Sequence, residues 1–380
     1  MHIPALSYAE TRSHRGLRWV DLRSPAEFAH DHLPGAISVP LFDDAQRAVV
    51  GTLYHQDSQE SAYDQGLAFA ESAMPDLLSQ MLGRSVAEAE WRRGFGEIGE
   101  KLRSGQEAVG FSREAPPPGP RLALYCWRGG MRSRSVAALV QAMGEPVLLL
   151  EGGYKAYRGW VRDQIEQLEV QPVVVLRGPT GVGKTEILAR VESASPGTTL
   201  CLESLAQHRS SILGAVGKEP VSQPAFETRL LERLGEMGPG PWFVEGESRK
   251  VGDVILPAKL YQAMESGVQW LLQATTETRV RNLMEDYLAD DGAVEAIRAK
   301  LPFLEGRIGP KWVGQLDAWM AEGRAAEVTE VLLERYYDPL YAHSDRRRAW
   351  SARFQVEAPD LIDDLLTERA AIAVCPPGFG

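Results

Sequence analysis

The sequence predicts an α/β protein with two parallel-sheet domains and a helical C-terminal region. Three observations lead there. Short, continuously apolar runs recur, as in RLALYC (121–126), VLLLEGG (147–153) and QPVVVLRG (171–178). Helical periodicity follows the runs. Twice, a glycine-containing turn joins strand to helix, in CWRGGMRS (126–133) and GPTGVGKT (178–185). Such crossovers bury strands between helices and pair them in parallel. At 380 residues and 44% hydrophobic content, the chain can build more than one core.

Taken in order, WVDLR (19–23) reads as a strand, and SPAEFAHDHLPGAISVPL behind it as a short helix, a turn at Pro34-Gly35 and a second strand. Residues 60–115 change character. SAYDQGLAFAESAMPDLLSQML and AEAEWRRGFGEIGEKL carry apolar residues at helical spacing, which predicts a helical insertion over about 55–115. APPPGP (115–120) cannot continue a helix, because proline lacks the amide donor and biases its predecessor toward extended backbone. RLALYC is the next strand, RSRSVAALVQAMG (132–144) a helix closed by glycine, and VLLLEGG a further buried strand. YKAYRGWVRDQIEQLE has the pattern of a surface helix, and QPVVVLRG restarts the strand signal. The expected division is 1–165, 166–300 and a helical extension 301–380 packed on the second domain. No internal repeat is present.

Composition bounds the function classes. The three cysteines, Cys126, Cys201 and Cys375, form no CxxC pair, so neither a disulfide framework nor a zinc site is indicated, and a reducing cytoplasm is expected. No apolar run approaches the ~20 residues that span a bilayer, and the first residues lack a signal-peptide core. A net charge of −11 argues against a generally basic nucleic-acid surface, although a local patch can still grip a phosphate backbone.

Cys126 stands between a strand and two glycines with arginines nearby. A strand, a glycine loop and a helix N-terminus turn successive amides inward and attract anions. The expectation is a thiol at the entrance of this nest. An ordinary thiol, pKa ~8.5, is mostly protonated at neutral pH; the amides of Trp127, Gly129, Gly130, Met131 and Ser133, with Arg128 and Arg132, would favour its thiolate and an oxyanion beside it. Gly129 and Gly130 suit backbone approach without a Cβ.

The second motif, RGPTGVGKTEILARV (177–191), contains GxxxxGK[ST] as Gly178, Gly183, Lys184 and Thr185, directly after VVVL and opening a helix. Thr180, Gly181, Val182 and Gly183 would cradle a diphosphate, with Lys184 on its outer oxygens and the Thr185 hydroxyl on magnesium. PWFVEGES (241–248) reads as a second strand ending in carboxylates, so Glu245 and Glu247 are candidate magnesium ligands. No NKxD-type base-recognition motif is found, and the diphosphate need not belong to a nucleotide.

DLRSPAEFAHDHLPGAISVP (21–40), CWRGGMRS and LEGGYKAYR (150–158) together resemble a rhodanese domain, which carries sulfur or selenium on a loop cysteine. The loop from Cys126 to Arg132 takes seven positions, one more than an ordinary rhodanese and like the related cell-cycle phosphatases; a phosphate-sized group fits that reading, and a phosphatase stays open. With GPTGVGKT, LESLAQHRSSILG (202–214), SQPAFE (222–227), VEGESRKVGDVILP (244–257) and LLERYYDPLY (332–341) in the same order, nearly the whole chain resembles the tRNA 2-selenouridine synthases. The resemblance implies a rhodanese-like three-layer domain followed by a P-loop NTPase-like domain. It also implies a tRNA bearing wobble 2-thiouridine as substrate, with geranyl diphosphate and selenophosphate as co-substrates and no tightly bound cofactor. Two positions depart from the family's pattern, Gly246 where EDES is more usual and Ser210 where HRGS is.

Further candidates for phosphate or tRNA contact are His208, Arg209, Arg249, Lys250, Arg279 and Arg281, and the run at 346–348 near Tyr341 and Trp350 has the composition of an RNA contact. Asp21, Glu27 and His32 are expected to fix the first domain's scaffold. Two other readings stay open at this level: a P-loop ATPase or kinase with a sulfurtransferase or phosphatase-like domain, and a scaffold that only binds a sulfur-carrying partner.

Overall fold

The computed structural model describes residues 2–104, 110–112, 121–289, 292–345 and 348–374. The proline-rich stretch 115–120, Arg346, Arg347 and Cys375 lie outside the described residues. The chain divides into two compact units, Met1–Ile165 and Glu166–Gly380.

In unit 1, β1 (His2–Leu6), β2 (Leu17–Asp21), β3 (Ile37–Ser38), β4 (Gly110–Ser112), β5 (Arg121–Tyr125) and β6 (Val147–Leu150) form one sheet. Its order is β3-β2-β5-β6-β1-β4, and every pairing is parallel. Leu122, Ala123, Leu124 and Tyr125 are buried on both faces of the central β5, which is why this strand reads as a continuous rather than an alternating apolar run. The helices are α1 (Tyr8–Thr11), α2 (Pro25–His30), α3 (Asp44–Gln56), α4 (Gln59–Leu82), α5 (Glu88–Arg103), α6 (Met131–Ala142) and α7 (Gly153–Glu166).

The helical insertion starts earlier than the sequence suggests, at Asp44. No residue of α3 is fully buried, so hydrophobic periodicity is weak there; its start is written instead in a reciprocal cap. Gln46 N donates to Asp43 (2.7 Å) and Asp43 N to the Gln46 side chain (3.1 Å). In α4, Ala62, Gly66, Ala70, Met74 and Leu78 recur every four residues on one buried face.

Unit 2 begins with β7 (Val173–Arg177), α8 (Lys184–Ala194), β8 (Thr199–Leu200), α9 (Leu202–Ala206), α10 (Gln223–Glu236) and β9 (Trp242–Glu245). A small antiparallel hairpin, β10 (Lys250–Val251) with β11 (Val254–Ile255), precedes α11 (Ala258–Ser266), β12 (Val268–Gln273) and α12 (Thr276–Tyr287). Then come α13 (Ala293–Arg298), α14 (Leu301–Ile308), α15 (Gln315–Ala321), α16 (Ala325–Leu332) and α17 (Asp338–Asp345), packed through Leu301, Leu304, Leu316, Val328 and Leu332. The chain returns as β13 (Ala352–Gln355) and ends in α18 (Leu361–Val374).

The main sheet of unit 2 is parallel throughout, ordered β13-β12-β7-β9-β8. The C-terminal region is helical through Asp345 and then adds an element that the sequence reading did not place. ARFQ is short and half-exposed. Pairing with the edge of β12, Trp270 opposite Ala352, makes it a strand, and Leu361 and Leu365 of α18 join the core beneath it. Among the described residues no helix is long and apolar enough to cross a membrane.

Candidate functional site

Each unit carries a loop at the carboxyl end of a central strand, β5 in unit 1 and β7 in unit 2, where parallel sheets gather ligands.

In unit 1 the chain leaves β5 at Cys126, turns through Gly129 in the left-handed region (φ 63°) and enters α6 with Gly130 as its N-cap. LEGGYKAYR lies directly on this loop. Tyr154 N donates to Cys126 O and Lys155 N to Trp127 O, both at 2.9 Å. Gly153 also has positive φ (60°), and a Cβ there would overlap the Cys126 carbonyl and the Gly129 amide. The two motifs are therefore one backbone-to-backbone contact, which is the physical reason for glycine at 129 and 153.

Beneath the loop runs a buried polar network. Arg23 pairs with Asp21 (2.5 Å), donates to Asp31 O (2.7 Å) and stacks 3.7 Å from the Tyr154 ring, while the Tyr154 hydroxyl donates to Asp31 (2.8 Å). Burial and then Asp31 push the Tyr154 phenol well above its ordinary range. Asp21 thus anchors the scaffold. Glu27 accepts from Ser24 N and pairs with Arg132 (3.4 Å) and Arg47 (3.7 Å), and His32 stacks on Phe28 (3.9 Å).

The thiol is not at the entrance. Cys126 is 3% exposed, with Sγ 3.2 Å from Ser133 Oγ at the start of α6. The loop's outer face belongs to Trp127 (40% exposed), Met131 (57% exposed) and the exposed Arg128. Arg132 is partly held by Glu27, so Arg128 is the loop's more exposed cation. The thiol is tucked under because β5 delivers it still on the buried side of the sheet end, and the left-handed turn follows it.

In unit 2 the loop 178–183 rises from β7 and ends at Lys184, the first residue of α8. Gly181 (φ 80°) and Gly183 (φ 87°) are left-handed, and a Cβ at Gly178 would sit 2.7 Å from Leu272 O. Val182 is buried under the turn. α12 clamps the loop from outside: Arg279 Nε donates to Thr180 O (2.8 Å) and Asn282 Nδ2 to Gly181 O (3.0 Å). Asp338 fixes Arg279 from α17, at 2.5 and 3.1 Å.

Carboxylates face the loop's cation. Lys184 Nζ lies 3.8 Å from Glu247, and the Thr185 hydroxyl donates to Glu245 (2.9 Å) and, at 3.4 Å, to Glu203. Glu203, Glu245 and Glu247 bring oxygens within 4.8 Å of one another. Burial, then Glu245 and Glu247, push Glu203 up to about 9; burial also raises Glu247 against the pull of Lys184. Burial opposes charge on Lys184, but Tyr341, Glu247, Glu203 and Glu245 outweigh it and raise the ammonium's pKa. Crowded carboxylates beside a hydroxyl form a hard oxygen set that suits magnesium, whose charge would relieve the crowding. Lys184, Thr185, Glu203 and Glu247 line a cleft of about 1260 Å³ together with His208, Lys250, Tyr341 and Arg348, with Glu245 buried behind Thr185.

The remaining sequence candidates divide. His208 lines the cleft, packed against Gly214 and Gly252, and burial lowers its pKa. Arg209 lines it too, but its guanidinium is engaged by Asp286 and the Val216 carbonyl and lies 4.4 Å from the Tyr287 ring centre. Lys250 pairs with Asp253 (3.2 Å). Arg249, Arg279 and Arg281 are outside the cleft lining; Arg279 is a buried clamp rather than a lid. Of the basic run, Arg348 pairs with Glu265 (3.1 Å). Ser210 holds a left-handed backbone (φ 46°) without being glycine, and at Gly246 a Cβ would overlap the Arg177 side chain. Glu203 and Asn282 escaped the sequence reading. Glu203 could have been found from its place at the end of the strand-like run TTLCLE (198–203); Asn282 sits mid-helix with no local signal.

A parallel sheet, a glycine loop closed by Lys-Thr at a helix start, and carboxylates on the neighbouring strand end define a P-loop-like α/β protein. The family model for the tRNA 2-selenouridine synthase AAA domain matches residues 171–371. The tRNA 2-selenouridine synthase of Cupriavidus pinatubonensis is 31% identical over 388 aligned residues, covering 94% of this chain and 96% of the relative. That of Bordetella petrii is 32% identical, covering 88% of each; that of Bordetella bronchiseptica is 31% identical, covering 94% and 97%. The chain belongs to the tRNA 2-selenouridine synthase family.

Proposed function

We propose that the chain is a cytoplasmic transferase acting on tRNA, converting wobble 2-thiouridine to 2-selenouridine through an S-geranyl intermediate, with geranyl diphosphate and selenophosphate as co-substrates. The observation that carries the reading is the Lys184–Thr185 loop set against Glu203, Glu245 and Glu247, an arrangement that favours a magnesium-diphosphate leaving group and needs no nucleotide base.

In the first step the uridine sulfur attacks the allylic carbon of geranyl diphosphate. The new S–C bond forms as the C–O bond breaks, and its electron pair leaves on the diphosphate. Lys184 and the amides around Gly181 and Gly183 face the charge that develops there. Magnesium, held by Thr185 with Glu245 and Glu247 and assisted by Glu203, would supply further charge neutralisation. In the second step selenium attacks the base carbon and expels geranyl thiolate, which takes a proton from solvent; water then releases phosphate from selenium. Unit 1, read as rhodanese-like, serves this step: the amides at the start of α6 and Arg128 receive the phosphate group, and Cys126, beneath the loop, is the residue this step requires.

The test is mass spectrometry of nucleosides from 2-thiouridine tRNA incubated with enzyme, geranyl diphosphate and selenophosphate, each omitted in turn. Geranylated product without selenophosphate, and selenated product with both, are expected; Cys126→Ser keeps the first and loses the second. Absence of both products, or nucleotide-stimulated phosphate release without tRNA, overturns the reading.

A further inference from the structure

Unit 1 contains a second space that the reaction above does not use. A cavity of about 770 Å³ lies between α3, α4, α5 and the first turns of α6, in the size range of sites for small organic ligands, roughly 300–1000 Å³. Its position is telling, because α6 is the helix that starts at the Cys126 loop: Met131, Arg132 and Ser135 belong both to that start and to the cavity wall. The other walls are apolar, with Phe42, Val50, Leu67, Met74, Phe95 and Ile98 among them.

Space is kept open by small residues. Gly51, Gly66 and Gly99 all line the cavity, and a Cβ added at Gly51 would meet no atom within 4 Å. His55, Gln56 and Gln59 line the end toward the α3–α4 turn, and the charged groups stand at the other. Arg47 and Arg132 both reach solvent, and they share the single carboxylate of Glu27, which also caps α2 through Ser24 N. Two guanidiniums thus share one carboxylate here, with Asp44 close by on Ala26 N.

We propose that this cavity holds a hydrocarbon chain of about ten carbons borne by the substrate on which the Cys126 loop acts, while Arg47 and Arg132 face an anionic phosphate of the same molecule. The inference rests on the reading above and deepens it: the occupant is the alkyl group of the S-alkylated uridine, and the phosphates are those of the RNA backbone. An apolar wall discriminates by chain length, roughly fourfold for each methylene buried. The cavity thereby selects the alkylated intermediate over the unalkylated base for the second step.

The test uses full-length enzyme and anticodon stem-loop RNAs carrying either S-geranyl- or S-methyl-2-thiouridine. Dissociation constants are read by fluorescence anisotropy and selenation by single-turnover rates. The wild type is expected to bind the geranyl RNA at least ~10-fold more tightly than the methyl RNA. Gly51→Trp, which replaces a mid-helix glycine and fills the cavity, should bring the two affinities within about twofold. It should leave geranylation of 2-thiouridine RNA and the melting temperature unchanged. Gly66→Ala, whose added methyl makes ordinary contact with Phe42, should show a smaller loss in the same direction. Arg47→Ala should weaken both RNAs alike and flatten the salt dependence of binding. Equal affinities in the wild type, or a geranyl preference that survives in folded Gly51→Trp, overturns the assignment. If the binding preference follows the cavity but neither RNA is selenated, the cavity stands and the proposed reaction falls.

Discussion

Gly153 shows how much one side chain's absence can carry. It occupies a left-handed backbone against the Cys126 carbonyl and the Gly129 amide, so an alanine there meets both a conformational cost of about 1–2 kcal/mol and a backbone clash. Gly153→Ala should lower the melting temperature by several degrees, at about 2–4 °C per kcal/mol for a unit of this size, and cut selenation far more than geranylation. Equal loss of both activities would show that the loop contact is not local to the thiol. The thiol itself illustrates the limit of motif reading. Its neighbours on paper are arginines, but its neighbour in space is Ser133, because the left-handed turn at Gly129 follows the thiol and brings the start of α6 back beside it.

At the scale of elements, both loops are held by parts of the chain remote in sequence: the Cys126 loop by α7, and the phosphate loop by Arg279 and Asn282 of α12. The turn between α8 and β8 has its own brace. Glu192 accepts from Gly197 N (2.7 Å), Thr199 N (3.1 Å) and the Thr199 hydroxyl (2.8 Å), and pairs with Arg233 (2.6 Å). Burial works against its charge, but Arg233, the Gly197 amide and Thr199 outweigh burial and hold it at about 2, against an ordinary 4.5. A depressed folded-state pKa means that the contribution is present above pH 4.5 and fades as pH falls through about 2. Glu192→Gln should therefore be less stable than wild type at pH 7, with the gap narrowing between pH 4.5 and 2 in denaturant titrations. A gap independent of pH would assign the loss to geometry instead of charge. The TTLCLE strand signal marked β8 in sequence, but nothing local marked Glu192 as its brace, since Arg233 is supplied by α10.

For the molecule as a whole, two parallel sheets each present one glycine-bearing loop at a strand end, and ligand linkage offers a check on the second as a diphosphate site. Magnesium with inorganic diphosphate at 100 times its dissociation constant should stabilise the protein by about 2.7 kcal/mol. Lys184→Ala should abolish this shift and Cys126→Ser should keep it, both read by thermal unfolding; an unchanged shift in Lys184→Ala would remove diphosphate from that loop. The α/β class, the strand–turn–helix crossovers and the Gly178–Thr185 motif were all determined by the sequence alone, because strand burial, helical period and the φ demands of glycine are local properties. The tertiary structure alone decided the burial of Cys126, the crowding of Glu203 with Glu245 and Glu247, the clamp by Arg279, the edge strand β13 and the cavity behind α6. Most of these depend on groups tens of residues or more apart meeting in space, and one-dimensional spacing does not encode such distances.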